Sequence, residues 1–279
     1  MTLFGKKIGM DTVKTKQKQE VNSMQEERKN LLSPKSEFFI REAYKTLRTN
    51  VSFSLAGEEG CKVIMVTSAM QGEGKSITAV NLAISYAMAE RKVLIIDCDL
   101  RRPKLARLLR LNSEVGLSNL IVNPKLKEKA IRTTGICGLD VMLSGAIPPN
   151  PSELLGSARM QKLIAELRTS YDVIILDSPP VNMVTDAVVL APQSDGVLFL
   201  VRANHSDRGA VIHAMEQLEY AKVKILGFVL NDVDMEKTHY GYKKYRSTRY
   251  IGCGKYGYGG YGYGSEYPHF REEQKDENA

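Results

Sequence analysis

The chain has 279 residues, a formal net charge of +7, 43% hydrophobic residues and 25% charged ones. That length holds one large α/β domain or two small ones, and the composition excludes a chain too polar to bury a core. No apolar run approaches the ~20 residues needed to cross a bilayer, and the polar, lysine-rich start from Met1 to Asn30 lacks the apolar stretch of a secretory signal. The four cysteines are scattered, with no CxxC or metal spacing, so a reducing, cytoplasmic setting is expected.

In chain order, residues 1–35 read as a disordered leader ending at the Ser33-Pro34 breaker. Glu37 to Leu55 reads as an amphipathic helix, with Phe38, Ala43, Leu47 and Val51 at roughly helical spacing. Short apolar runs follow at Val63–Thr67, Val93–Asp97, Val141–Leu143, Val173–Asp177, Val197–Val201 and Ile225–Leu230. Near-continuous apolar character of this kind fits parallel strands buried on both faces. Helical stretches are expected between them at Lys75–Ala89, Pro103–Leu109, Ala158–Thr169 and Asp207–Ala221. The alternation predicts an α/β fold, a doubly wound and mostly parallel sheet flanked by helices. After Asp234 the composition shifts abruptly to Tyr, Gly, Lys and Arg and then to acidic residues, so a core domain over 36–234 is followed by a flexible tail over 235–279.

Three segments carry chemistry. Ala69-Met70-Gln71-Gly72-Glu73-Gly74-Lys75-Ser76 follows a strand and opens a helix, the setting of a phosphate-binding loop. In such a loop the backbone N–H groups wrap a phosphate, Lys75 neutralises it and the Ser76 hydroxyl ligates Mg²⁺. The second strand ends at Asp97-Cys98-Asp99, two carboxylates expected on one face at the carboxyl edge of a parallel sheet, where such folds bind ligands. One can hold the metal while the other accepts a proton. A third strand ends at Asp177, apolar residues running into a carboxylate that orders a Mg²⁺ shell.

Together these segments resemble the deviant Walker ATPases that include the partitioning and septum-site proteins, and within them the bacterial tyrosine kinases of capsule and exopolysaccharide synthesis. The resemblance implies a P-loop NTPase fold with ATP and Mg²⁺ as cofactors. Gly72, Glu73, Gly74, Lys75 and Ser76 would hold the nucleotide, Ser76, Asp99 and Asp177 the metal, and Lys75, Asp97 and Asp99 would act in catalysis, with Asp97 helping to deprotonate a tyrosine. Asn231 resembles the residue that contacts adenine. Met70 stands where the partitioning ATPases carry a signature lysine, and Arg101-Arg102-Pro103 and Pro179-Pro180 match the kinase branch better. Glu42, Lys45 and Arg48 match the helical Glu-x-x-Arg-x-x-Arg spacing that packs kinase subunits into a ring, with lysine replacing one arginine and losing its bidentate fork.

Nine of the 13 tyrosines cluster at the end of the chain: Tyr240, Tyr242, Tyr245, Tyr250, Tyr256, Tyr258, Tyr261, Tyr263 and Tyr267. Glycine spacing gives such a segment reach, which suits a set of acceptor phenols presented to one site in turn. Set beside the resemblance, the expectation is an ATP-dependent tyrosine kinase that phosphorylates its own tail in trans within a ring-like homo-oligomer. Its expected setting is the inner face of the membrane, recruited by a separate transmembrane polysaccharide co-polymerase and opposed by a cognate phosphatase. Two other classes remain open: a positioning-type ATPase that hydrolyses ATP with water, and a nucleic-acid module built on the Tyr/Lys/Arg tail, although nucleic acid is not the expected partner.

Overall fold

The computed structural model describes residues 29–57, 59–112 and 114–234. The nine tail tyrosines and most of the leader lie outside the described residues. Seven strands form one sheet: β1 (Lys62–Ser68), β2 (Val93–Asp97), β3 (Ile131–Thr133), β4 (Leu139–Met142), β5 (Val173–Asp177), β6 (Gly196–Arg202) and β7 (Ile225–Asn231), in the order β3-β4-β2-β5-β1-β6-β7. Every pairing is parallel except β3 with β4.

The central strands β1, β2, β5 and β6 are largely apolar because the sheet is covered on both sides there, whereas β7, expected to be buried on both faces, is an edge strand with Phe228 and Leu230 exposed. In β1, Val63 and Met65 join one buried cluster while Ile64 and Val66 join the other, and β2 and β5 divide in the same way. This is the period-two alternation of a strand with a core against each face. Helix α1 (Phe38–Ser54) and helix α2 (Lys75–Ala87) supply one of those cores through residues such as Val51, Ala79, Leu82 and Ala83. Short helices α3 (Leu105–Leu109), α4 (Leu117–Val122), α5 (Lys127–Ala130) and α6 (Pro151–Leu155) come next along the chain. Helices α7 (Ala158–Arg168), α8 (Asp186–Leu190) and α9 (Arg208–Tyr220) supply the other core through residues such as Met160, Leu163, Leu167, Ala187, Ala214 and Leu218. The starts of α7 and α9 are locally encoded: the Ser157 hydroxyl accepts from the Met160 N–H at 3.2 Å and the Asp207 carboxylate from the Ala210 N–H at 2.9 Å, side-chain caps at the N-cap position.

Two expectations need correcting. The strand expected at Val141–Leu143 begins earlier, at Leu139, and carries an antiparallel neighbour, β3, that the sequence reading did not anticipate. Three residues are too few to show a period. The leader assigned to 1–35 also overlaps the folded domain. Leu32 is buried, its N–H donates to Asn81 Oδ1 at 2.7 Å, and Asn81 Nδ2 returns a bond to the Asn30 carbonyl at 2.9 Å.

Candidate active site

The chain crosses from β1 to β2, and β5 returns between them, so the carboxyl ends of β1, β2 and β5 stand side by side. This is the topological switch at which open α/β sheets bind ligands. Residues 69–74 leave β1 and enter α2 as a tight loop, with Gly72 at φ +81° and Gly74 at φ +93°. Both lie in the left-handed region that favours glycine. Gly74 has a second reason, because a Cβ there would stand 2.0 Å from Asn231 Nδ2.

A cavity of about 290 Å³ opens over the loop, lined among others by Gly72, Gly74, Lys75, Ser76, Asp99 and Arg102. The Lys75 side chain is largely buried, and its ammonium donates to Ser68 Oγ at 3.0 Å and to the Met70 carbonyl at 3.2 Å. Burial lowers its pKa, an effect opposed by the nearby Asp177 and Glu73 carboxylates.

The parallel register pairs Asp97 with Asp177 across β2 and β5. Both are fully or almost fully buried. Asp97 Oδ2 accepts from the Leu105 N–H at 3.1 Å, while Asp97 Oδ1 and both Asp177 oxygens lack a hydrogen-bond partner. Burial pushes Asp177 up to about 7; Ser76 and Lys75 pull it down, Ser76 without completing a bond of ordinary geometry. Asp97 is pushed well above the carboxylate range, first by burial and then by the charge of Asp177. Three orphaned carboxylate oxygens at the end of a sheet are the donor set a hard divalent cation takes. The residues present therefore fit Mg²⁺.

Asp97 and Asp99 are not equivalent, contrary to the shared face expected of them. The strand ends at Asp97, and Asp99 lies in the following loop, where it lines the cavity and accepts from the Arg102 N–H at 2.9 Å. Arg101 turns the other way and grips the buried Asp186 at 2.8 and 3.0 Å. Asn231 reaches the site from β7, but its amide donates to the Glu73 carbonyl at 3.0 Å.

Glu42 and Lys45 form an exposed ion pair on α1 at 2.6 Å. Arg48 instead turns inward and donates to the Ser85 carbonyl of α2. The sequence reading missed Arg202, Ser206 and Asp232, which surround the phosphate loop from the ends of β6 and β7. No motif links them to it, since Arg202 meets Gly72 across 130 residues of chain.

Residues 61–225 match the model of an AAA domain family. The chain is 39% identical to tyrosine-protein kinase YwqD of Bacillus subtilis (strain 168) over 202 residues, 72% of this chain and 85% of that one. The chain belongs to the bacterial tyrosine-protein kinase family. The kinase is also 36% identical to tyrosine-protein kinase CpsD of Streptococcus agalactiae, over 72% of its own length and 86% of that relative. Its fold is similar to the kinase domain of Escherichia coli tyrosine kinase ETK, with a TM-score of 0.67 and 36% identity over 73% of this chain and 80% of that chain. Among the described residues no helix of the kinase is long and apolar enough to cross a membrane.

Proposed function

We propose that this kinase transfers the γ-phosphoryl group of ATP to tyrosines of its own tail, Tyr240 to Tyr267, and thereby regulates the synthesis and export of a capsular or extracellular polysaccharide. The observation that carries the reading is the pairing of Asp97 with Asp177 beside the Lys75–Ser76 loop, with three buried carboxylate oxygens unpartnered. Gly72, Glu73, Gly74, Lys75 and Ser76 bind the phosphates through backbone N–H groups and the Lys75 ammonium. Ser76, Asp177 and Asp97 would hold Mg²⁺, which when bound would offset the charge of the phosphates. Asn231 supplies the contact to adenine.

In the transfer, the phenol oxygen bonds to the γ-phosphorus as the bond to the bridging oxygen of ADP breaks, and the phenol proton passes to a carboxylate. A phenol with pKa near ~10 needs that help at neutral pH. Asp99 borders the cavity while Asp97 is buried against Asp177, which favours Asp99 as the acceptor that meets the phenol and Asp97 as the partner of the metal-holding pair.

The exposed Glu42 and Lys45 of α1 support assembly of a ring in which one subunit's tail reaches a neighbour's site, while Arg48, expected on the same face, is engaged with α2 of its own chain. A cytoplasmic location, recruitment by a transmembrane co-polymerase and reversal by a phosphatase complete the reading.

Incubation with Mg-ATP followed by mass spectrometry tests it. Phosphate is expected on several tyrosines between Tyr240 and Tyr267, and none in Lys75→Met. Steady release of inorganic phosphate with every tyrosine unmodified would favour a positioning ATPase instead.

A further inference from the structure

Glu73 is an unusual residue for its place. It is fully buried in a loop shaped to bind anions, while Gly72, Gly74, Lys75 and Ser76 beside it line the cavity. A buried carboxylate so close to incoming phosphates opposes their binding unless its oxygens are engaged elsewhere. Both are engaged. Glu73 Oε2 accepts from the Met70 N–H at 2.7 Å, and Oε1 accepts from the Ser206 hydroxyl.

Ser206 is itself held in place. Its Oγ accepts from the Arg202 N–H at 2.8 Å and its N–H donates to the Arg202 carbonyl at 3.0 Å, which leaves the hydroxyl hydrogen for Glu73. The Arg202 guanidinium in turn donates to the Gly72 carbonyl at 3.0 Å and is paired with Asp232 at 2.8 Å.

The direction of these bonds matters. In a planar trans peptide the N–H points opposite to the C=O. Drawing the Gly72 carbonyl toward Arg202, and the Glu73 carbonyl toward Asn231, turns the N–H groups of Glu73 and Gly74 the other way, where they can converge on an anion.

We propose that Ser206 and Arg202 are positioning residues for nucleotide binding. Ser206, together with the Met70 N–H, holds the Glu73 carboxylate back from the N–H groups of residues 73–76 that face the cavity, and Arg202 fixes the Gly72 peptide. The proposal rests on the phosphate loop being the nucleotide site.

The test uses the full chain with MgADP as probe, read by calorimetry, together with hydrogen exchange of residues 69–76 in the nucleotide-free protein. Ser206→Ala should weaken MgADP by about tenfold or more, the loss of one hydrogen bond to a charged group, and should speed exchange in the loop. In steady-state phosphorylation the effect falls on KM for ATP more than on kcat. Ser206→Thr should restore binding to within about twofold, since it keeps the hydroxyl. Combined with Glu73→Gln, Ser206→Ala should add little further loss, because the two act as one unit.

Unchanged MgADP affinity in Ser206→Ala, full additivity with Glu73→Gln, or an affinity loss that Ser206→Thr does not repair would each overturn the proposal. Failure of the wild-type protein to bind MgADP would instead sink the nucleotide reading. The exchange measurement then still decides the latch, and unaltered exchange in Ser206→Ala refutes it.

Discussion

At the residue scale, the Asp97–Asp177 pair has a consequence for the nucleotide-free kinase. Two carboxylates buried across adjacent strands resist carrying two charges, and the nearby Lys75 ammonium offsets only part of that cost, so at neutral pH they retain a proton. The unfolded chain holds Asp177 near the ordinary carboxylate value of 3.8, whereas the fold raises it to about 7. The folded state therefore binds a proton that the unfolded state has already released. The resulting stability is present below pH ~4 and lost as pH rises through ~7. The melting temperature of the nucleotide-free protein should fall from pH 5 to pH 8 through this pair. Asp177→Asn, a neutral isostere, should flatten that dependence and melt a few degrees higher than wild type at pH 8 while matching it at pH 5. The same proton competes with Mg²⁺, so nucleotide-linked Mg²⁺ affinity should rise with pH over this window in wild type and vanish in the variant. Parallel melting curves of the two proteins across the pH range would refute the shared-proton account. These two carboxylates were legible in the sequence because each ends an apolar run that can only be a buried strand. Their direct pairing was not, since it depends on β5 returning between β1 and β2. Glu73 is expected to hold the nucleotide with the rest of its loop, and the role of its carboxylate is not legible because its partner, Ser206, is 133 residues away.

At the element scale, the long parallel strands and the helices of eleven or more residues were readable within two residues of their ends, as Val93–Asp97 and Val173–Asp177 illustrate. Continuous apolar runs of that length have few alternatives once helical periods separate them. The short helices α4, α5, α6 and α8 carry too few turns to show a period and are held by the surfaces they pack on. The most instructive miss is the entry into α1. Composition marked residues 29–35 as leader, yet Asn81, in the middle of α2, holds the backbone of Asn30 and Leu32 through both ends of its amide. A polar residue on a buried helix face is uninformative until its partner is known. Asn81→Ala leaves the Leu32 N–H without its acceptor in a buried setting, a cost of about 1–3 kcal/mol. At roughly 2–4 °C per kcal/mol for a domain of this size, thermal denaturation should move down by several degrees. Removal of residues 1–32 should give a similar loss. If neither change lowers the melting temperature, the segment is an appendage and not part of the domain. Arg48 makes a related point: a spacing that matches a subunit-packing motif also supplies an inward bond to the Ser85 carbonyl, so one of the three charged side chains serves the fold of its own chain.

At the scale of the whole molecule, charge connects the site to the tail. The chain carries a formal +7, with Lys243, Lys244, Arg246 and Arg249 interspersed among the first tail tyrosines. Each phosphotyrosine adds about −1.5 to −2 charges, so about four or five of them would cancel the net charge of the entire chain and reverse the sign of the tail. If subunits associate with one tail seated at a neighbouring site, successive transfers weaken the attraction that brought the tail there. The assembly would then limit its own phosphorylation. The α1 surface supplies a contrast, because the Glu42–Lys45 pair is exposed, screened by salt and weak by itself. Sedimentation of the full chain before and after exhaustive reaction with Mg-ATP should show a shift from an oligomer toward monomer, while Lys75→Met treated in the same way keeps its starting mass. Raising the salt should mimic phosphorylation in the unmodified wild-type protein, since both reduce the same electrostatic attraction. An oligomer of unchanged mass after several tyrosines have been modified would separate assembly from catalysis and leave the tail as a substrate alone.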